Sequence, residues 1–152
     1  MDDLVAFQSI LLGTDGSATA RIAERAATML ASATGGELIV VSAFDGSAGS
    51  KQTAEEAVNE ARGRVQAAGV GAWSEVVEGE PAAALVEFAD HVNAELMVIG
   101  DVGMADGGRV RLGGVPDRIS HSAPCSVLIV RTGTTRVGRP LESPRLLATA
   151  PS

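Results

Sequence analysis

Two apolar runs with a frame of glycines between them constrain this chain more than any other feature. Glu95-Leu96-Met97-Val98-Ile99 leads into Gly100-Asp101-Val102-Gly103, and nine residues later comes Gly113-Gly114-Val115. A short polar helix is predicted over 116–122, and Ser126-Val127-Leu128-Ile129-Val130 follows it. In a strand–glycine loop–helix layout, main-chain N–H groups can close on a phosphate with no Cβ in the way, and the helix dipole adds to the attraction. A nucleotide ligand is the first expectation.

The upstream sequence alternates in the same manner. Residues 9–14 form a short apolar run ending at Asp15-Gly16-Ser17, where Ser17 suits a helix N-cap. Apolar residues at Ile22, Ala23, Ala26, Ala27, Leu30 and Ala33 keep a helical period over 18–33, and Gly35-Gly36 stops it. A buried strand is predicted over 38–44, a Gly- and Ser-rich loop over 45–50 and a helix over 51–68 closed by Gly69. A strand over 72–78 carries charges between its apolar residues, which places it nearer a sheet edge, and Pro81 opens a third helix. The resulting order, β-α-β-α-β-α-β-α-β, implies right-handed crossovers and a doubly wound, Rossmann-like α/β fold: five parallel strands with helices on both faces. Ligands in such sheets lie outside the carboxyl ends of the strands, where the winding reverses. Asp15 and Gly100 both stand at strand ends and are expected to face one crevice.

Charge narrows the ligand. The net charge is −7, and residues 131–152 carry a local +3 from Arg131, Arg136, Arg139 and Arg145 against Glu142, leaving −10 for residues 1–130. A body that acidic repels polyanions, and three Phe, one Trp and no Tyr give few rings for stacking bases, so nucleic acid is not an expected partner. The single cysteine, Cys125, excludes an intrachain disulfide and a multi-thiolate metal site. No run reaches the roughly 18 apolar residues of a membrane span, and Asp2-Asp3 is unlike a basic secretory leader, so a cytoplasmic protein without membrane contact is expected. Residues 1–132 are read as one nucleotide-binding domain, and 133–152, rich in Arg and Pro and without periodicity, as a flexible tail.

Over residues 7–131 the chain resembles the universal stress protein family. Gly100, Gly103 and Gly113 match the spacing Gly, two residues, Gly, nine residues, Gly of its ATP-binding members, with Gly114 where they carry Ser or Thr. Gly13-Thr14-Asp15-Gly16-Ser17 is similar to the family's first strand end, and Ala123-Pro124-Cys125-Ser126-Val127-Leu128-Ile129-Val130 to its last strand. The resemblance implies strand order 3-2-1-4-5 and a homodimer through the last strand. It implies that Gly13 and Asp15 border the nucleoside, Asp15 accepting from the ribose hydroxyls, and that Ala43 lies against the adenine. Gly100, Val102 and Gly103 would form the first phosphate turn, and Gly113, Gly114 and Val115 the second. ATP is the first ligand implied, with Mg²⁺ left open. Cyclic AMP or AMP is the variant, because some members with a Gly-x-Val-Gly…Gly-x-Val-Pro arrangement are associated with cyclic AMP.

Two residues depart from that pattern. Gly114 lacks a hydroxyl donor, and Asp101 sets a carboxylate near a triphosphate, a repulsion of roughly 1 kcal/mol at 4 Å in bulk water. Arg109 and Arg111 in the nine-residue loop could offset it or be solvated loop charges. Asp15 serves equally as an Asx-turn residue beside Ser17. Trp73 reads as packing on the third strand, Cys125 as a small core residue, and no general base or Walker lysine marks an enzyme. The leading expectation is an adenine-nucleotide-binding stress protein without turnover beyond slow ATP hydrolysis. The rival is a dimeric scaffold that binds no nucleotide and acts through protein contacts.

Overall fold

A computed structural model of the chain describes residues 7–101 and 114–132. Nine elements alternate along them: β1 (Ser9–Gly13), α1 (Ala20–Thr34), β2 (Glu37–Phe44), α2 (Ala48–Ala67), β3 (Ala72–Glu78), α3 (Pro81–His91), β4 (Leu96–Gly100), α4 (Val115–Ser122) and β5 (Ser126–Val130). The strands form one sheet in the order β3-β2-β1-β4-β5, every pairing parallel. The expected doubly wound topology is therefore observed.

The central strands show why. Ile10, Leu11 and Leu12 are all fully buried, as they must be in a parallel strand covered on both faces. Successive side chains then alternate between two cores. Ile10, Leu12, Leu38, Val40, Leu96 and Val98 pack with α1 and α2. Leu11, Val41, Met97 and Ile99 pack on the other face with Leu85 and Ala89 of α3 and Ile119 of α4. The buried stripes of α1, α2 and α3 are rich in alanine, which lets these helices approach the sheet closely; α1 places Ala23, Ala27 and Ala31 against it.

Several boundaries differ from the sequence reading. The helix predicted from residue 18 begins at Ala20, with Thr19 rather than Ser17 at the N-cap position; Ser17 Oγ still accepts from Ala20 N at 3.1 Å. The loop predicted over 45–50 is shorter, because α2 starts at Ala48 with Ser47 as N-cap, its hydroxyl accepting from Ser50 N. Glu80 caps α3 from its side chain, with Pro81 in the first turn. Trp73 is 51% exposed, so packing does not account for it; β3 is a sheet edge and leaves the ring half open. Cys125 is half-buried just before β5, and β5 is an edge strand with Leu128 and Ile129 exposed.

Among the described residues no helix is long and apolar enough to cross a membrane.

Candidate functional site

Every strand ends on the same edge of the sheet, and the winding reverses between β1 and β4. Gly13 closes β1 opposite Val41, and Thr14 extends the pairing by donating its N–H to Val41 O at 2.9 Å. Two local turns follow. Thr14 Oγ1 accepts from Gly16 N at 3.1 Å, and Asp15 Oδ1 accepts from Ser17 N at 2.9 Å. Gly16 makes this possible: its φ is +81°, and a Cβ there would lie 2.9 Å from Ala57 Cβ on α2. The chain therefore turns tightly against α2 and leaves Asp15 exposed at the sheet's edge.

Asp15 lines a cleft of about 270 Å³ together with Ser42 and Ala43 of β2 and Gly49, Ser50 and Thr53 of α2. The end of β2 is fixed by a second set of turns. Ser47 N donates to Asp45 Oδ1 at 2.9 Å and Asp45 N to Ser50 Oγ at 3.1 Å. The Ser47 N–H holds the Asp45 carboxyl below its usual range. The spacing Asp45-x-Ser47-x-x-Ser50 is a capping signal, and reading it as loop hid Ser50; Thr53, within the predicted helix, carries no signal of its own. Ser42 was missed as well, its hydroxyl being masked within an apolar strand.

Asp15 and Ala43 thus share one cleft. Gly13 has a packing reason of its own, since a Cβ there would sit 3.2 Å from both Ile99 Cγ2 and Leu85 Cδ1. Gly100 ends the neighbouring strand β4, opposite Val130. Asp101 continues the pairing through its N–H to Val130 O at 2.9 Å, while its Oδ1 accepts from Thr132 N and Oγ1, each at 2.8 Å. Val102, Gly103 and Gly113, with Arg109 and Arg111, lie outside the described residues.

Gly114 is the N-cap of α4, with extended backbone (φ −79°, ψ −171°) and no side-chain cap; Val115 is the first helical residue and Pro116 follows it. The first N–H groups of a helix have no intrahelical acceptor, which suits that end to an anion. Arg118, in the same first turn, makes a bidentate pair with Glu80 at 2.8 and 2.7 Å and so ties α4 to the N-terminus of α3. Glu80 is held below the ordinary glutamate range by the N–H of Ala83, with burial opposing and Arg118 adding to the lowering. Burial pushes the Cys125 thiol up, away from a reactive thiolate. Among the described residues no group of three or more His, Cys, Asp or Glu is placed to hold a metal ion.

A sequence model of the universal stress protein family matches residues 6–131. The chain belongs to the universal stress protein family. Universal stress protein Rv1636 of Mycobacterium tuberculosis is 33% identical over 144 residues, covering 84% of this chain and 98% of that protein. Universal stress protein MJ0531 of Methanocaldococcus jannaschii is 36% identical over 81 residues, which span 53% of this chain and 48% of the relative. Among solved structures, a universal stress protein in complex with cyclic AMP is similar at 36% identity, with a TM-score of 0.71 over 85% of this chain and all of the other. A universal stress protein of Archaeoglobus fulgidus in complex with dAMP has a TM-score of 0.70 at 23% identity, covering 83% of this chain and 99% of the other, a likeness of fold.

Proposed function

We propose that this universal stress protein binds an adenine nucleotide, the nucleoside entering the cleft between Asp15, Ala43 and the first turns of α2. The cleft's position carries the reading: it opens at the carboxyl ends of adjacent strands, beside the point where the winding reverses. About 270 Å³ is just under the range of drug-sized sites, a size suited to a nucleoside with its phosphate outside. Asp15 would accept from ribose hydroxyls while Ala43 presents a small side chain to the base. The phosphate would lie toward Gly100 and the cap-free start of α4 at Gly114 and Val115, with Val102, Gly103 and Gly113 completing the turns. The domain so formed would span residues 1–132, and 133–152 would stand apart from it as a tail.

Cyclic AMP or AMP ranks ahead of ATP in this reading. The relative at 36% identity was crystallised with cyclic AMP, and one phosphate charge suffers less from the Asp101 carboxylate than a triphosphate does. The chain's only lysine is Lys51 in α2, so the γ-phosphate contact of a P-loop has no candidate. The protein therefore works by binding and release, not by turnover.

A homodimer through β5 belongs to the same reading. Leu128 and Ile129 are exposed on opposite faces of β5, whose outer side pairs with no other strand among the described residues. Sedimentation should show a dimer that Ile129→Glu converts to monomer; an unchanged dimer would put the interface elsewhere.

Calorimetric titration of nucleotide-stripped protein tests the ligand. Cyclic AMP should saturate with measurable heat, ATP should bind more weakly and GTP should give none. Flat heats with every nucleotide at millimolar concentration would remove the proposal and favour the scaffold.

A further inference from the structure

A second groove, of about 560 Å³ and so larger than the cleft at the strand ends, runs along the outer side of α1 and the C-terminal part of α2. Two parallel stripes of α1 line it. Ile22 and Met29 are seven residues apart, two helical turns, and fall on one stripe; Arg21 and Arg25, four apart, form the next. Met29 is 71% exposed and Ile22 38%, two of the five large hydrophobic side chains left open among the described residues. Single exposed apolar residues are ordinary on a surface. A pair on one stripe, flanked by cations, is not accounted for by folding.

The charge of the groove runs against that of the chain. Three of the seven Lys and Arg side chains among the described residues line it, in a protein of net charge −7. Arg64 is committed to Glu24, which is only 5% exposed and receives two bonds from the guanidinium at 2.8 Å. Arg21 and Arg25 form no ion pair among the described residues, so they set the sign offered to a partner.

We infer that this groove docks an acidic amphipathic helix of a partner protein, its apolar residues against Ile22 and Met29 and its carboxylates against Arg21 and Arg25. An open trough along a helix suits an element that lies along it, with anchors spaced i and i+7. The juxtaposed stripes demand an apolar row beside an acidic one on the same helix, which is a specific requirement and not general stickiness. The Arg-rich residues 131–152 carry the wrong sign to fill the groove themselves.

The test uses a labelled synthetic helix with one stripe of Leu beside one of Glu, followed by fluorescence anisotropy at about 0.15 M salt. Saturable binding is expected. It should weaken about tenfold or more in Met29→Asp and in the double variant Arg21→Glu/Arg25→Glu, the size expected for losing a central anchor or reversing paired charges. Thermal melting followed by circular dichroism establishes that each variant folds. A scrambled peptide of equal composition should not bind. Equal binding by the scrambled peptide, or by either folded variant, overturns the inference. So does wild-type self-association that Met29→Asp abolishes, which would make the occupant a second copy. Capture of anionic lipid vesicles without the peptide also overturns it, as does peptide binding that emerges only when residues 1–6 are deleted.

Discussion

Asp101 Oδ1 accepts both the N–H and the hydroxyl of Thr132, each at 2.8 Å, and Thr132 is 4% exposed. One carboxylate oxygen therefore ties the exit of β4, where the glycine frame begins, to the exit of β5. The sequence set this aspartate's charge against a phosphate; the structure adds a bonding role for its carboxylate.

Asp101→Ala should cost about 2 kcal/mol of stability, because it strands a buried N–H and a buried hydroxyl. Asp101→Asn keeps an acceptor and removes the charge. If nucleotide binds, ATP should tighten about fivefold on that change, the equivalent of roughly 1 kcal/mol, and cyclic AMP less. Urea denaturation reads the first effect and calorimetry the second. An equal gain for both ligands would contradict the electrostatic reasoning.

Gly16→Ala should destabilise by about 2 kcal/mol, combining a left-handed φ with a contact against Ala57 that has no flexible end to yield. The same change displaces Asp15, so nucleotide affinity should fall with it. Gly49→Ala, with open space at its Cβ, is the control expected to leave stability nearly unchanged.

Arg64→Ala leaves the buried Glu24 carboxylate unpaired and should cost about 3 kcal/mol, a figure at the low end because Arg64 is itself a third exposed. The double variant Glu24→Gln/Arg64→Gln should recover most of that loss. Chemical denaturation checks it; a double variant as destabilised as Arg64→Ala, or more so, would contradict a charge left unpaired by that change.

Acid should loosen the contact between α3 and α4. Glu80 has a lowered pKa in the folded chain, so its contribution is complete above the unfolded value of about 4.3 and is lost as pH falls through the lower folded value. Glu80→Gln should flatten that part of the stability profile, which lies below the unfolded value of about 4.3. Its cost at neutral pH should be about 1 kcal/mol or less, since the pair with Arg118 is nearly half exposed. A Glu80→Gln profile parallel to wild type would show that the pair contributes nothing.

The topology was legible because the strands are bounded by turn residues and the first three helices carry a period of small apolar ones; β3 and β5 were assigned without error at either end. What stayed hidden depended on tertiary contact. Nothing in the spacing pairs Glu24 with Arg64, forty residues on. Trp73 was read as packing although the charges of its strand already pointed to a sheet edge, and at that edge the ring is half exposed. Asp15 was placed at a strand end by the alternation and Ala43 was singled out by the family resemblance, whereas Ser50 reached the cleft through a capped helix start read as loop. Gly13, singled out for a ligand, also meets a packing demand from Leu85 and Ile99 that the sequence does not show.

The most direct test follows backbone amides of isotope-labelled protein while cyclic AMP is added. Shifts are predicted at Asp15, Ser42, Ala43, Ser50, Thr53, Gly100 and Gly114, with Arg21, Arg25 and Met29 silent. Saturating ligand that leaves the first group unmoved, or that shifts only residues elsewhere, would contradict a nucleoside seated between the ends of β1 and β2.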